Sequence, residues 1–399
     1  MVVPAGSASK RGAAEARPTV AEVFRRHGPA YLCQHALVPA QAKVLRALVA
    51  CRTAALGGHL DVCLDCGYSH PLYNSCRDRH CPTCQASQAK RWLEGRLERV
   101  IPTHYFHVVF TLPEPLRAVA LANPKIVYDL LFSAATDTLQ ELAATRLGAQ
   151  LGVTAVLHTW TREMLLHPHL HCVVTGGGLA LDSSSWVACR DAFLFPVKVI
   201  GALFRGKFLD GLVRAQKAGE LRFVGSSAHL ADPVAFAKIR SQLYKTSWIV
   251  FAKRPFGGPQ QVIAYLARYT HRVAISDARI REVSEDGVVI STRKGNTCPM
   301  RPEEFIRRFL LHVLPAGFRK IRHYGLMAPS NVNTRLVTAR RLLDEAGRAH
   351  HDPRPVDPGE LLGEPMVAEA APPKPLCRAC GSDHLRREIL PRSGPGPPP

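Results

Sequence analysis

Pairs of cysteines separated by two intervening residues constrain this chain more than any other feature of its sequence. Cys63-Leu-Asp-Cys66-Gly is followed by Cys76-Arg-Asp-Arg-His80-Cys81-Pro-Thr-Cys84. Two such knuckles give four thiolates that can close tetrahedrally around zinc, and glycine after the second cysteine suits the tight turn. We therefore predict a structural Zn²⁺ ion rather than redox-active cysteines. The predicted ligands are Cys63, Cys66, Cys81 and Cys84, and the alternates for one of them are Cys76 and His80.

The charge of the chain and its cysteine usage indicate a partner and a compartment. Lys and Arg outnumber Asp and Glu by 52 to 32, and the resulting net charge of +20 favours a polyanionic partner such as nucleic acid. Arg77 and Arg79 lie among the cysteines and are predicted to contact DNA. The alternative is that they belong to an ordinary charged surface that faces solvent. Neither a secretory signal nor a membrane-spanning stretch is recognisable, and clustered Cys-x-x-Cys pairs are typical of reducing compartments. We expect a cytoplasmic protein.

Composition and periodicity divide the chain into five parts. Residues 1–18 are rich in Ala, Ser and Gly and are expected to be disordered, whereas 19–100 combine helices with the zinc module. Strands and helices alternate over 101–345, which we expect to form the main domain. A flexible linker rich in Pro, Ala and Glu spans 346–375, and a short, largely disordered tail covers 376–399.

Single residues stand out in the second and the last of these parts. The predicted core positions of the N-terminal helices are Val23, Phe24, Leu45 and Leu48. The tail carries Cys377-x-x-Cys380, which supplies only two thiolates. This pair either binds zinc together with His384 or is a remnant without a metal.

A group of histidines forms the second candidate site, in His167-Pro-His169-Leu-His171-Cys-Val-Val-Thr-Gly-Gly-Gly178. Residues two apart on a strand point to the same face, so His169 and His171 project together while Leu170 points to the core. Two imidazoles on one strand provide half of a metal site, and the glycines allow a backbone or a ligand to approach closely. We favour His158 on the preceding strand as third ligand; the alternatives are His104, His107 and His167.

Two tyrosines form the third candidate site, in Gln261-Val-Ile-Ala-Tyr265-Leu-Ala-Arg268-Tyr269-Thr-His-Arg272. On a helix, residues four apart share a face, so Tyr265 and Tyr269 stand side by side, as do Arg268 and Arg272. Phenols amid guanidinium groups suit the handling of a phosphate, because nearby positive charge favours the nucleophilic phenolate. The alternative is an amphipathic helix with both hydroxyls at its surface.

Together these motifs resemble a known family. A His-Leu-His strand followed downstream by Tyr-x-x-x-Tyr is similar to the two-tyrosine class of HUH endonucleases. The order of zinc module, His169-Leu-His171 and Tyr265-Leu-Ala-Arg-Tyr269 resembles the transposases of insertion sequence 91 (IS91), over roughly residues 20–345. The resemblance implies an α+β fold, with a central antiparallel sheet flanked by helices and preceded by the small zinc module.

The resemblance also implies the metal and the substrate. His169 and His171 would ligate Mg²⁺ or Mn²⁺, and that ion would polarise the scissile phosphate. The substrate would be single-stranded DNA at transposon ends and at the target. A rolling-circle transposase of this kind would work in the bacterial cytoplasm, associated with the nucleoid.

The tyrosines would carry the covalent step. Tyr265 or Tyr269 would attack the phosphate and form a 5′-phosphotyrosine, which leaves a free 3′-hydroxyl and conserves the energy for rejoining. We infer from the spacing that Arg268 and Arg272 position phosphates, Arg268 as a catalytic residue and Arg272 as a DNA-binding residue.

One departure from the family pattern stands beside the expected third ligand. Gly-Gln is expected after His158-Thr-Trp160, but this chain has Thr161-Arg162. Both histidines and both tyrosines remain, so we expect an active enzyme. Three rival functions stay open: a plasmid replication initiator or relaxase with the same chemistry, a non-catalytic zinc protein that binds DNA, and a zinc hydrolase. The absence of a Walker A motif favours a transposase over the first of these.

Overall fold

The computed structural model describes residues 18–85, 99–190, 194–253, 273–293, 295–346 and 376–393. Its helices are α1 (Val20–Gln34), α2 (Pro39–Ala50), α3 (Arg117–Ala122), α4 (Pro124–Leu147), α5 (Val197–Lys217), α6 (Pro233–Lys245), α7 (Pro302–Leu310) and α8 (Arg335–Glu345). Its strands are β1 (Gly58–Cys63), β2 (Ser69–Tyr73), β3 (Tyr105–Thr111), β4 (Ala149–Trp160), β5 (Leu166–Ala180), β6 (Trp186–Ala188), β7 (Val250–Lys253), β8 (Ile280–Val283), β9 (Val288–Ser291), β10 (Thr297–Met300), β11 (Ile321–Gly325) and β12 (Leu385–Leu390). Helices and antiparallel sheets together confirm the predicted α+β class.

A six-stranded antiparallel sheet positions the histidines. Its strands lie in the order β11-β4-β5-β3-β7, and β6 pairs with β5. The longest strands, β4 and β5, form a hairpin and contain several of the β-branched residues that favour a pleated strand. The N–H of Thr161 donates to the carbonyl oxygen of Leu165 at 2.9 Å and closes the turn between them.

The main hydrophobic core lies between one face of this sheet and the helices α4 and α5. Leu170, Cys172 and Val174 alternate along β5 and are fully buried in this core. The rings of Phe110 on β3 and Phe204 on α5 meet edge to face, with centroids 4.9 Å apart. Complete burial of one such side chain stabilises the fold by about 1.5–3 kcal/mol. Leu170 therefore occupies the predicted core position, and the alternating histidines of β5 face the other way.

Local capping explains where some of these helices begin and end. At the start of α1, the hydroxyl of Thr19 accepts the N–H of Glu22 at 3.2 Å. At the start of α6, the carboxylate of Asp232 accepts two backbone N–H groups of the first turn. Helix α4 is capped at its C-terminus by Gly148, whose φ of +63° is readily reached only by glycine. Each device satisfies backbone groups that lack a partner at a helix end.

The N-terminal helices do not form a core of their own. The predicted core residues Val23, Phe24, Leu45 and Leu48 are buried, and the ring of Phe24 lies edge-on to that of Phe309 in α7, 5.1 Å away. Side chains of α1, α2, α7, β8 and β9 share one hydrophobic cluster. The module predicted over 19–100 therefore packs directly against the main domain, because residues from beyond position 100 help to cover the apolar faces of α1 and α2.

A small sheet joins two distant parts of the sequence. Strand β1 pairs with β2 on one edge and with β12 on the other. The guanidinium of Arg387 on β12 donates to both carboxylate oxygens of Asp61 on β1, at 2.7 and 3.1 Å. The expectation that 376–399 is largely disordered is thus corrected for 376–393, because the open edge of β1 supplies this segment with backbone hydrogen bonds.

Two other predicted segments lie almost wholly outside the described residues. These are the disordered N-terminal segment 1–18 and the linker 346–375. Within the described part of the chain, no helix has both the length and the apolar character needed to cross a bilayer.

Candidate metal centres

Three histidines from the β4–β5 hairpin meet on the face of the central sheet opposite the main core. His169 and His171 lie two residues apart on β5, and His158 on β4 is the direct cross-strand partner of His169. Side chains directly opposite each other in an antiparallel pair lie on the same face of the sheet. One nitrogen from each ring lies within 4.8 Å of those of the other two. The structure therefore brings the two predicted ligands together with the favoured third one.

Burial keeps the two imidazoles of β5 uncharged. Loss of hydration lowers the pKa of His169 to about 4. The same effect, together with the neighbouring rings of His169 and His107, lowers the pKa of His171 well below its ordinary value. Only the neutral imidazole has the lone pair that binds a metal ion. At neutral pH both side chains are therefore in the form that can act as a ligand.

Hydrogen bonds orient these rings. The Nδ1–H of His169 donates to the carbonyl oxygen of His167 at 2.6 Å, and because a carbonyl only accepts, the lone pair of His169 is on Nε2. Nδ1 of His171 lies 2.8 Å from Nε2 of His107, and the two rings are stacked with centroids 5.0 Å apart. Burial lowers the pKa of His107 to about 4, so this ring is neutral and can accept. Such outer hydrogen bonds commonly orient metal-bound histidines.

Two of the alternative third ligands, His107 and His167, lie beside the cluster rather than in it. His107 contacts the cluster through His171. Nδ1 of His167 lies 3.5 Å from a guanidinium nitrogen of Arg117. Among the described residues, the group of three imidazoles that could hold an ion is the one made by His158, His169 and His171.

The dipeptide that replaces Gly-Gln forms the turn of the histidine hairpin. The hydroxyl of Thr161 accepts the N–H groups of Glu163 and Leu165, each at 3.2 Å. The carbonyl oxygen of Arg162 accepts a hydrogen bond from the guanidinium of Arg279. Thr161 and Arg162 therefore close the turn that holds the two histidine strands in register.

The three glycines in the second half of the histidine strand β5 admit neighbouring protein rather than a ligand. A Cβ at Gly176 would lie 2.3 Å from the ring of His104, and one at Gly178 would lie 2.5 Å from the carbonyl oxygen of Gln150. Both distances are too short for any side chain. The close approach that these glycines allow is therefore the packing of β5 against adjacent parts of the fold.

The predicted tyrosine site lies outside the described residues. It comprises Tyr265, Tyr269, Arg268 and Arg272, and the described chain stops at Lys253 and resumes at Val273. Its approach to the histidine cluster stays a prediction.

The cysteines form two separate groups of four. One group is Cys51, Cys76, Cys81 and Cys84; the other is Cys63, Cys66, Cys377 and Cys380. Hydrogen-bonded sulfur pairs within the groups lie 3.6–3.7 Å apart. A zinc–sulfur tetrahedron with bonds of about 2.3 Å has edges of roughly 3.8 Å, so both groups have the spacing of a zinc site.

This grouping corrects the predicted zinc site. Cys63 and Cys66 do not meet Cys81 and Cys84, because β1 directs the first knuckle towards the C-terminal segment. The alternate Cys76 does join the second knuckle, and Cys51 at the end of α2 completes that group.

The other alternate ligand and one predicted DNA contact have structural partners. Nδ1 of His80 lies 2.9 Å from a carboxylate oxygen of Asp78, and its Nε2 accepts a backbone N–H from the loop 314–318. The guanidinium of Arg79 donates to three carbonyl oxygens of this loop, at 2.7 to 3.3 Å. Arg79 is thus a contact within the fold, which corrects its predicted role, whereas Arg77 is exposed and stays a predicted DNA contact.

Comparison with known proteins decides the family. A family model described as "Transposase zinc-binding domain", of the IS91 type, matches residues 23–112, and one described as "Putative transposase" matches 152–335. The chain is 48% identical over 340 residues to the protein "Putative transposase y4qJ" of Sinorhizobium fredii (strain NBRC 101917 / NGR234), covering 83% of this chain and 85% of that protein. The chain belongs to the IS91 family of transposases.

A second relative agrees with this assignment. The transposase is 26% identical over 289 residues to the "Transposase for insertion sequence element IS801" of Pseudomonas savastanoi pv. phaseolicola, covering 70% of this chain and 68% of that protein. No solved structure matches the chain. All three clustered histidines lie within the matched segment 152–335, and the first cysteine group lies within 23–112.

Sequence reasoning missed three features of these sites. Cys51 belongs to no Cys-x-x-Cys pair, so its spacing gave no signal. The contact between the sulfur atoms of Cys66 and Cys377 joins residues 311 positions apart, and no local sequence motif can reveal it. His107 was considered only as a ligand, although its Nε2 lies within hydrogen-bond distance of Nδ1 of His171. The alternation of side chains along β3 was a signal in the sequence for the face on which His107 lies. The register of β3 against β5, which brings His107 to His171, could not be read from the sequence.

Proposed function

We propose that this transposase nicks and rejoins single-stranded DNA at its element ends through a 5′-phosphotyrosine. The observation that carries the proposal is the convergence of His158, His169 and His171 on one face of the central sheet. Membership of the IS91 family supports a DNA substrate, and the net charge of +20 supports binding to a polyanion.

The donor set fits a divalent cation. Three imidazoles come together on a hydrogen-bonded hairpin, and the neutral state of His169 and His171 removes the repulsion that protonated rings would add. Nitrogen ligands suit Mn²⁺ better than Mg²⁺, which prefers oxygen, so Mn²⁺ is the favoured ion of the two. When bound, the ion supplies Lewis-acid polarisation of a phosphate. Because neutral ligands leave its charge uncompensated, an anionic phosphate is a natural further ligand.

The side chains proposed for the covalent step are those of Tyr265 and Tyr269. The phenolate oxygen of one attacks the scissile phosphorus, a tyrosine–phosphate bond forms, and the bond to the 3′ oxygen breaks. The leaving 3′ oxygen takes up a proton, and the phenol has lost one. Arg268 and Arg272 stabilise the phosphate charge. Since one phosphodiester replaces another, rejoining needs no ATP.

Structural zinc supports the DNA-binding part of the molecule. We propose that Cys51, Cys76, Cys81 and Cys84 hold the ion of the zinc-binding domain. Because Cys51 caps α2 and the other ligands lie in or next to the Cys81–Cys84 knuckle, this zinc fixes the exposed Arg77 against the helical module, where it can contact DNA. Such an enzyme would act on DNA in the bacterial cytoplasm.

The test is a covalent trapping assay. Purified full-length protein is mixed with labelled single-stranded DNA carrying an end of its own element, with and without Mn²⁺, and separated under denaturing conditions. We expect a Mn²⁺-dependent adduct that is lost in the double variant Tyr265→Phe, Tyr269→Phe and in His169→Ala. The exposed His229 lies on the 3-10 turn before α6, so His229→Gln is the matched control and should retain the adduct.

Other results would identify the rival functions. A protein that binds the DNA without any adduct would be a non-catalytic zinc protein. Cleavage that survives the double tyrosine substitution would indicate a hydrolase that activates water. Adduct formation on plasmid origins but not on the element's own ends would favour a replication initiator or relaxase.

A further inference from the structure

We infer that Cys63, Cys66, Cys377 and Cys380 bind a second zinc ion, distinct from the zinc of the Cys51 group. The four thiols form one group, although Cys63 and Cys380 are 317 positions apart in the sequence. The two C-terminal cysteines lie outside both segments that match family models. The second zinc therefore joins the N-terminal module to the far end of the described chain.

Two matching turns present the four thiols. Their sequences are Cys63-Leu-Asp-Cys66-Gly67 and Cys377-Arg-Ala-Cys380-Gly381. In each turn, the glycine N–H donates to the carbonyl oxygen of the first cysteine, at 3.0 Å in the first and 2.8 Å in the second. Both glycines have positive φ, +72° and +78°, which glycine adopts without strain. Two equivalent knuckles of this kind are the usual frame of a four-cysteine zinc site.

The first cysteine of each turn is anchored in the same way. The N–H of Cys63 donates to the carbonyl oxygen of Tyr68 at 2.9 Å, and that of Cys377 donates to the carbonyl oxygen of Ser382 at 2.7 Å. The backbone thus holds both pairs of thiols in place. This reduces the ordering that zinc binding would otherwise require.

The sulfur distances fit zinc and do not fit a disulfide. Sγ of Cys63 lies 3.6 Å from Sγ of Cys380, and Sγ of Cys66 lies 3.6 Å from Sγ of Cys377. The edge of a zinc–sulfur tetrahedron is roughly 3.8 Å, whereas a disulfide bond is about 2.05 Å. Four thiolates in a tetrahedral arrangement are typical ligands of Zn²⁺.

Contacts outside the knuckles hold the C-terminal segment in the same place. All six residues of β12 are in register with β1. The N–H of Leu64 donates to the carbonyl oxygen of His384 at 2.9 Å, and the His384 ring lies 3.2 Å from the Asp65 carboxylate. His384, which the sequence offered as a ligand, thus pairs with an acid, and the knuckle of Cys63 and Cys66 supplies the remaining thiols instead.

Exposure of two of these cysteines provides a direct test. Cys66 and Cys380 are exposed, as is Cys33, which lies on α1 outside both groups. Free exposed thiols react readily with an alkylating agent, whereas zinc-bound thiolates are protected. The full-length protein is purified with zinc, kept in a phosphine reductant so that disulfides cannot protect, and treated with N-ethylmaleimide. Mass spectrometry then gives the alkylation rate at each cysteine, and plasma emission gives zinc per chain.

We expect two zinc ions per chain, rapid alkylation of Cys33, and protection of Cys66 and Cys380 that a chelator removes. The inference is overturned when Cys66 and Cys380 react as fast as Cys33 while Cys81 and Cys84 stay protected, with one zinc per chain. Because this measurement uses the wild-type protein, it is decisive even where a variant fails to fold.

A paired substitution identifies the ligands. In Cys377→Ser, Cys380→Ser, zinc content should fall from two ions to one, and the N-terminal knuckle at Cys63 and Cys66 should become reactive. Protection of the Cys51 group should remain, and the control Cys33→Ser should keep both ions. Retention of two ions by the double variant contradicts the assignment.

Discussion

The contact between His107 and His171 predicts how strongly an outer hydrogen bond controls the histidine metal site. With an ion on Nε2 of His171, its Nδ1–H must donate to Nε2 of His107, 2.8 Å away. In His107→Ala the acceptor is lost and the donor of His171 is left in a buried site. Loss of such an outer partner lowers metal affinity by about 10- to 100-fold, which corresponds to about 1.4–2.8 kcal/mol of binding free energy.

A conservative variant separates this effect from lost packing. The side-chain oxygen of glutamine reaches about as far as Nε2 of histidine and accepts a hydrogen bond. We therefore expect His107→Gln to retain most of the affinity that His107→Ala loses. His229→Gln, at an exposed position, should bind as the wild type does.

The assay is a titration of the zinc-loaded protein with Mn²⁺, in which electron paramagnetic resonance measures the free ion. The ring of Trp160 stacks on that of His158 with centroids 4.8 Å apart, so quenching of tryptophan fluorescence by bound Mn²⁺ gives a second reading. Thermal unfolding shows whether each variant is folded. Equal affinities for wild type and His107→Ala, or equal losses in the alanine and glutamine variants, would refute the positioning role.

Three further predictions concern stability and zinc. Burial lowers the pKa of His312 from 6.5 to about 4, so as the pH falls the unfolded chain is protonated at this residue before the folded protein is. The free energy of unfolding should therefore be highest above pH 6.5 and fall by about 3 kcal/mol towards pH 4. In urea unfolding, His312→Gln should lose less of this free energy over the same pH range than the wild type does. Gly178→Ala forces a Cβ to 2.5 Å from the carbonyl oxygen of Gln150, and should lower the free energy of unfolding by about 1–3 kcal/mol, whereas an unchanged urea midpoint would contradict that steric argument. Cys51→Ser should lose one zinc ion per chain while Cys33→Ser loses none, and unaltered zinc content in the first variant would remove Cys51 from the ligands.

The sequence predicted those features that depend on neighbours in the chain. Apolar spacing identified Val23 and Phe24 as core positions of a helix, and alternation along β5 placed Leu170 in the core and His169 on the opposite face. Both are consequences of the fixed periods of helices and strands, 3.6 and 2 residues. The fold class followed from the resemblance rather than from these periods.

Features that depend on distant pairing were beyond sequence reasoning. The partner of the Cys63 knuckle was sought nearby, because zinc ligands are usually close in sequence, but the edge of β1 is completed by β12. The packing of α1 against α7 was missed for a related reason, since it joins segments far apart in the sequence. Register across β3, β4 and β5 determines which histidines meet, and a single sequence does not specify that register.

The central claim is that a divalent ion is held by His158, His169 and His171. Crystals of the zinc-loaded protein soaked in Mn²⁺ test it directly, because anomalous differences at the manganese absorption edge locate that ion separately from zinc. We expect an anomalous peak bonded to one nitrogen of each of the three rings. A protein that forms the covalent DNA adduct in Mn²⁺ but shows its manganese peak elsewhere would rule out the three histidines as the catalytic metal site.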